Sequence, residues 1–153
     1  MKILLKLFIL LFFIANISKA DLIKPNSDLR PFDVLMIQLN ALRDNNDPYK
    51  DSGIMQSWEF AHPNNKSSTG PLENFKQMIY TDNYSILISH ENNEITILKE
   101  TNNQLVYKVY ILSKDKRKYY YIWQIEKVEQ DGKLKNCWMT TAVSEPTYLG
   151  KII

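Results

Sequence analysis

Leu105-Val106-Tyr107-Lys108-Val109-Tyr110-Ile111-Leu112 decides the fold class. Leu105, Tyr107, Val109 and Ile111 take every second position, the pattern of a strand with one face on a core. The same period extends in both directions. Upstream, Ile95 and Ile97 alternate with Glu94, Thr96 and Lys99, and Asn102-Asn103 is a turn pair that suits a tight hairpin. Ile86-Leu87-Ile88 is a further short apolar run. Downstream, residues 113–118 form a charged turn, and Tyr119, Tyr121, Trp123 and Ile125 then share one face, with Gln124 and Glu126 on the other. Asp131-Gly132 is the strongest hairpin signal in the chain, and residues 134–143 are expected as the last long strand.

Before Tyr84 the period is helical. Pro31 suits a first helical turn, and Leu35, Met36, Leu39 and Leu42 follow at helix spacing, with Val34 and Ile37 widening the stripe. Asp44-Asn45-Asn46-Asp47-Pro48 stops it. Asp51-Ser52 offers an N-cap for a second helix with Ile54, Met55, Trp58 and Phe60 inside, ending at His62-Pro63. Residues 64–69 read as a polar loop. Gly70-Pro71 then opens a third helix, Pro71 in its first position, with Leu72, Phe75, Met78 and Ile79 inward. Helices first and strands afterwards predict an α+β fold, the N-terminal helices packed on one face of a curved antiparallel sheet of four or five strands.

Among the 153 residues, Lys2 and Lys6 flank the start of an apolar run from Leu7 to Ala15, and Ser18-Lys19-Ala20 follows. That is the layout of a signal peptide, residues 1–20, cleaved after Ala20. The run is about half the ~20 residues a spanning helix needs, so no stable membrane anchor is expected after cleavage. Residues 21–30 read as a flexible lead-in, 31–145 as a single α+β domain and 146–153 as a C-terminal tail. The product is expected to be exported, periplasmic or secreted. Without residues 1–20, which hold three lysines and no acid, 16 basic residues face 17 acidic ones. A clustered basic excess is missing, so a nucleic-acid partner is not expected. Cys137 is the only cysteine, which excludes an internal disulfide; beside Trp138 it reads as a small buried hydrophobe.

The candidate site residues cluster around residues 58–75. His62 is the acid–base candidate, with an unperturbed pKa near neutrality. His90, the other histidine, lies in a stretch expected as a solvated turn. With two distant histidines and no cysteine pair, neither a metal site nor a cofactor is expected. Asn64, Asn65, Lys66 and Thr69 precede a helix start, where an anion can bind; they can equally brace their own loop. Trp58, Trp123 and Trp138, with Tyr119-Tyr120-Tyr121, can line an apolar pocket or fill the core. The basic run of residues 114–118 reads as a solvated loop.

Ile37-Gln38-Leu39-Asn40-Ala41-Leu42, Gly53-Ile54, residues 60–66, Thr69-Gly70-Pro71-Leu72-Glu73-Asn74-Phe75 and Cys137-Trp138-Met139-Thr140, in this order, resemble the domain of unknown function 4864 family. The likeness covers roughly residues 31–143. His62 stands where the family pattern has Ser, Lys66 where it has Arg and Asn136 where it has Gly, and Thr141-Ala142 replaces Asp-Gly. The resemblance implies the cone-shaped fold of nuclear transport factor 2-like and cystatin-like proteins, and no activity. The preferred functional expectation is a non-catalytic module that binds a small apolar or anionic ligand, or a protein, through its sheet face and residues 62–70. The alternative is a small cone-fold enzyme of hydrolase or isomerase type, with His62 or a pocket carboxylate as general base. A third reading is a homodimer through the outer sheet face.

Overall fold

Pro31–Arg43 coil into α1 because Val34, Leu35, Leu39 and Leu42 fall on one face, all buried. Its start is fixed by Asp33, whose carboxylate accepts from the Arg30 backbone N–H at 3.1 Å and from its guanidinium at 2.9 Å. This is a computed structural model, and it describes residues 21–152; the expected signal segment, residues 1–20, lies outside the described residues.

Helix α2, Ser52–Glu59, lies against α1 at backbone distance. A Cβ on Gly53 would stand 1.9 Å from the Ala41 carbonyl oxygen and 2.8 Å from the Asn45 Cα, so only glycine allows this approach. Asn45 does the capping expected of Asp51-Ser52: its Oδ1 accepts from the Ile54 N–H at 2.9 Å and its carbonyl accepts from the Gly53 N–H at 3.0 Å. Asp51 sits at the N-cap position in the left-handed region, φ 63°, with its carboxylate turned instead to the Tyr80 hydroxyl, the Asn45 amide and, at 3.6 Å, the Lys76 ammonium. The lead-in is tied to this helix, since Ile23 and Gln56 exchange two hydrogen bonds of 2.8 and 2.9 Å.

Residues 64–69 were expected as a loop and are helical: α3 is Pro63–Thr69. Nothing in it is buried, which is why no apolar period reveals it. Its start comes from His62-Pro63, with proline at the first position and the His62 Nδ1 accepting from the Asn64 N–H at 3.1 Å. Helix α4, Leu72–Ile79, begins after Pro71 rather than with it, and buries Phe75 and Ile79. Gly70 is required between α3 and α4, because a Cβ there would meet the Lys66 carbonyl oxygen at 2.5 Å. The run Ile86-Leu87-Ile88 contributes a 3-10 turn, Ser85–Leu87, instead of a strand.

The sheet is antiparallel: β1 Asn92–Glu100, β2 Gln104–Leu112, β3 Arg117–Lys127, β4 Trp138–Val143 and β5 Thr147–Lys151. Strand β2 alternates buried and half-buried residues along its length, as its sequence demands. Tyr107 pairs with Trp123 and Val109 with Tyr121, and this inner face joins the apolar face of α1 in one core. Strand β3 is the spine. One of its edges pairs with β2, and the other is shared, β4 taking Trp123–Lys127 and β5 taking Arg117–Tyr120.

Two expectations are corrected here. Asp131-Gly132 closes no tight hairpin, because β3 ends at Lys127 and β4 begins at Trp138. The connection folds on itself, the Val128 N–H bonding the Cys137 carbonyl at 2.9 Å, and it covers a small cluster of Val128, Cys137 and Met139. Residues 146–153, expected as a tail, contain β5. The α+β class stands, with helices preceding a five-stranded open sheet.

Candidate functional site

The chain between α2 and α3 docks on β4. The His62 N–H donates to the Thr140 carbonyl at 2.8 Å, and the Thr140 N–H donates to the Phe60 carbonyl at 2.8 Å. This holds the helices to the sheet edge and leaves a cavity of about 280 Å³ between them. Leu42, Phe75, Met78, Ile79, Leu87 and Trp123 give it apolar walls, and Asn65, Ser68, Thr69 and Thr141 add polar ones.

A hydrogen-bonded chain joins four of its lining residues. The Trp123 indole N–H donates to the Thr140 hydroxyl at 2.9 Å, which donates to the Gln38 Oε1 at 2.6 Å. The Gln38 amide donates to the Ser57 carbonyl at 3.0 Å. No Asp, Glu, His, Lys, Arg or Cys lines the cavity among the described residues; Tyr84 is its one titratable neighbour. Burial raises the Tyr84 pKa, and its hydroxyl donates to the Val143 carbonyl at 3.2 Å. The cavity lining therefore lacks a group that would take up a proton near neutral pH.

Of the sequence candidates, Asn65, Thr69 and Trp123 reach this cavity. Asn65 and Thr69 are also braces: the Asn65 amide donates to the Thr140 carbonyl at 3.2 Å, and the Thr69 hydroxyl donates to the Asn65 carbonyl at 2.9 Å. Trp58 packs against Phe75 in a tilted pair, ring centroids 5.1 Å apart, with the Lys66 ammonium 5.2 Å over its ring. Trp138 lies partly buried under the Lys127 ammonium, 5.0 Å away. The three tryptophans thus do not converge on one pocket, because they stand on different elements and faces.

His62 and Asn64 line a separate polar groove of about 380 Å³, with Glu126, Lys127 and Gln104. Burial lowers the His62 pKa, opposed by the Glu126 carboxylate and the Lys127 carbonyl. The neutral ring accepts at Nδ1 from the Asn64 N–H, so its proton is on Nε2 and its lone pair is already engaged. A general base needs that lone pair free. Glu126 is itself held by the Gln104 and Gln124 amides, 2.6 and 2.7 Å from its Oε1. His90, expected in a solvated turn, is buried: its Nδ1 is 2.8 Å from the Leu87 carbonyl and its Nε2 is 3.2 Å from the Asn93 amide. No group of three or more His, Cys, Asp or Glu side chains could hold a metal ion among the described residues. In the basic turn Lys116 pairs with Glu91 at 2.6 Å and Arg117 with Asp115 at 2.8 Å.

Gln38, Ser57 and Thr140 also belong to the polar lining of the cavity and are not among the sequence's candidates. Gln38 carries a readable signal, since it stands inside the apolar stripe of α1 between Leu35 and Leu42. A polar residue there must find a buried partner.

Comparisons with curated proteins and with solved structures give no match. A family model described as "Domain of unknown function (DUF4864)" matches residues 27–147, most of the chain. The chain belongs to the DUF4864 family.

Proposed function

We propose that this domain is a non-catalytic binding module whose cavity takes a small, neutral, largely apolar ligand. The carrying observation is the wall without a charged side chain, closed by a buried polar chain from Trp123 to Ser57. Ligand pockets of this kind are mostly apolar with a few fixed polar groups, and ~300–1,000 Å³ in volume. At about 280 Å³ the cavity lies just under that range and suits a small ligand. A carboxylate or ammonium would lose its water there with no countercharge, which disfavours the anionic ligand. N-phenyl-1-naphthylamine, a neutral fluorescent probe, tests this reading. Its fluorescence should rise saturably with the protein and fall back with Ser68→Trp, which fills the mouth from an exposed helix position. Saturable binding that ignores Ser68→Trp would place the probe elsewhere and defeat the reading.

Export is part of the same proposal. It is supported by the lysine-flanked apolar run and the Ser18-Lys19-Ala20 site in the sequence. No helix among the described residues is long and apolar enough to cross a membrane. Mass spectrometry of the protein from its native host should find Asp21 as the first residue. A chain that keeps residues 1–20 would contradict export by cleavage.

A further inference from the structure

We infer that two copies of this chain pair through the free edges of β1, which joins their sheets into one continuous antiparallel sheet. Strand β1 ends the sheet order, so its outer edge has no strand partner among the described residues. An unpaired edge is a template for another strand, and proteins usually blunt it with charges or bulges. This edge is exposed over most of its length and holds two large apolar side chains in the open, Ile97 at 57% and Leu98 at 54% exposure. No residue of β1 lines the cavity between helices and sheet, so the inference stands apart from the ligand reading.

The placement of two charges points to a second copy as the occupant. Glu94 and Lys99 are an odd number of residues apart and would face opposite sides of a regular strand. The register slips between them: Ile97 pairs with Tyr107, but Lys99 pairs with Val106, which leaves Leu98 as an extra residue. Glu94 pairs with Tyr110. Tyr110 and Val106 share the face of β2 opposite to the buried Tyr107 and Val109, so the slip puts Glu94 and Lys99 on one face. Two antiparallel copies of β1 related by a two-fold axis at Thr96 then complement each other. Ile95 meets Ile97 of the second copy, and, with Leu98 passed over as it is against β2, Glu94 meets Lys99 of the second copy. The axis repeats each contact, which gives two apolar pairs and two ion pairs, with no like charges opposed. An axis at Ile95 or Ile97 sets neither charge against its opposite. Glu94 also lies 3.7 Å from the Lys118 ammonium, yet its side chain is 68% exposed and open to a second cation. The contact is small, so the dimer is expected to be weak and transient.

Sedimentation velocity at low salt, in a concentration series up to the limit of solubility, tests this. The wild-type protein should shift from monomer towards dimer along the series. Glu94→Lys and Lys99→Glu each turn both ion pairs into like-charge contacts, and each should weaken dimerisation by about tenfold or more. Both positions are exposed, so both variants should keep the wild-type melting temperature. Mixed in equal amounts, the two variants regain both opposite-charge contacts and should dimerise within about threefold of the wild type. A wild-type protein that stays monomeric throughout would overturn the inference. Dimerisation that neither charge reversal weakens would also overturn it, and would place the contact elsewhere, as on the outer sheet face. Folded variants that remain monomeric when mixed would overturn the Glu94–Lys99 register and with it the assignment of the second copy to this edge.

Discussion

His62 commits its imidazole to the backbone, capping α3 through Nδ1. Serine is a strong N-cap residue and suits a start with proline at the first helical position, so it can do at this position what His62 does. His62→Ala should therefore lower stability by about 1 kcal/mol in urea unfolding, while His62→Ser should stay near the wild type. The same burial sets a pH dependence. Both histidines are held below their ordinary 6.5, His62 and His90 alike, chiefly by burial. A depressed histidine pKa means that the unfolded chain binds the proton more readily. Stability is then fully present above pH 6.5 and falls as the pH drops through the lower folded values. Thermal melts from pH 8 to pH 5 should show this decline, and His90→Gln should make it shallower. Gly53 is the least replaceable residue. Gly53→Ala forces a Cβ to 1.9 Å from the Ala41 oxygen, and should cost at least the ~1–3 kcal/mol typical of overpacking.

At the scale of elements, Asp51 and Tyr80 fasten the start of α2 to the end of α4. The Tyr80 hydroxyl holds the Asp51 carboxyl below its ordinary 3.8 against the opposing effect of burial, with smaller help from the Lys76 charge, the Asn45 amide and the Lys50 charge. Its contribution is present above that value and disappears as pH falls through the lower folded one. Tyr80→Phe should cost roughly 1.5–3 kcal/mol, the range for a hydrogen bond to a charged group, with less of the loss seen in strong acid. Helix α3, which buries no residue, should exchange its amides faster than α1. The elements legible in the sequence are those with an apolar period, α1, α2, α4 and strands β1 to β3, together with β4, which is shorter than the strand expected over residues 134–143. Helix α3 was hidden because Asn64-Asn65-Lys66-Ser67-Ser68-Thr69 has no such period. It is held by its cap and by Ser67, Ser68 and Thr69 hydroxyls donating to carbonyls four residues back. Strand β5 was hidden because Tyr148 and Leu149 are exposed and pairing with β3, rather than burial, defines it. Asp131-Gly132 forms a bend ahead of the turn that the Lys135 N–H closes on the Gly132 carbonyl, and Val128 and Cys137 set the longer connection around it.

The whole molecule is organised about β3, which receives the hairpin on one edge and two successive short strands on the other. Docking of residues 60–62 on β4 turns that architecture into a cavity, and the cavity's polar residues come from α1, α2 and β4. Gln38, Ser57 and Thr140 are distant in sequence, and no single stretch announces them; of the residues that the sequence offers as a site only Asn65, Thr69 and Trp123 join them. The three tryptophan indoles offer separate reporters of where a ligand sits. The most direct measurement is a nitrogen–proton correlation spectrum of the domain titrated with N-phenyl-1-naphthylamine. Saturable shifts of the Trp123 indole and of the Ser57 and Thr140 amides, with the Trp58 and Trp138 indoles unmoved, are the predicted result. Shifts centred on Trp138 and the His62 groove, or none that saturate, would contradict the account.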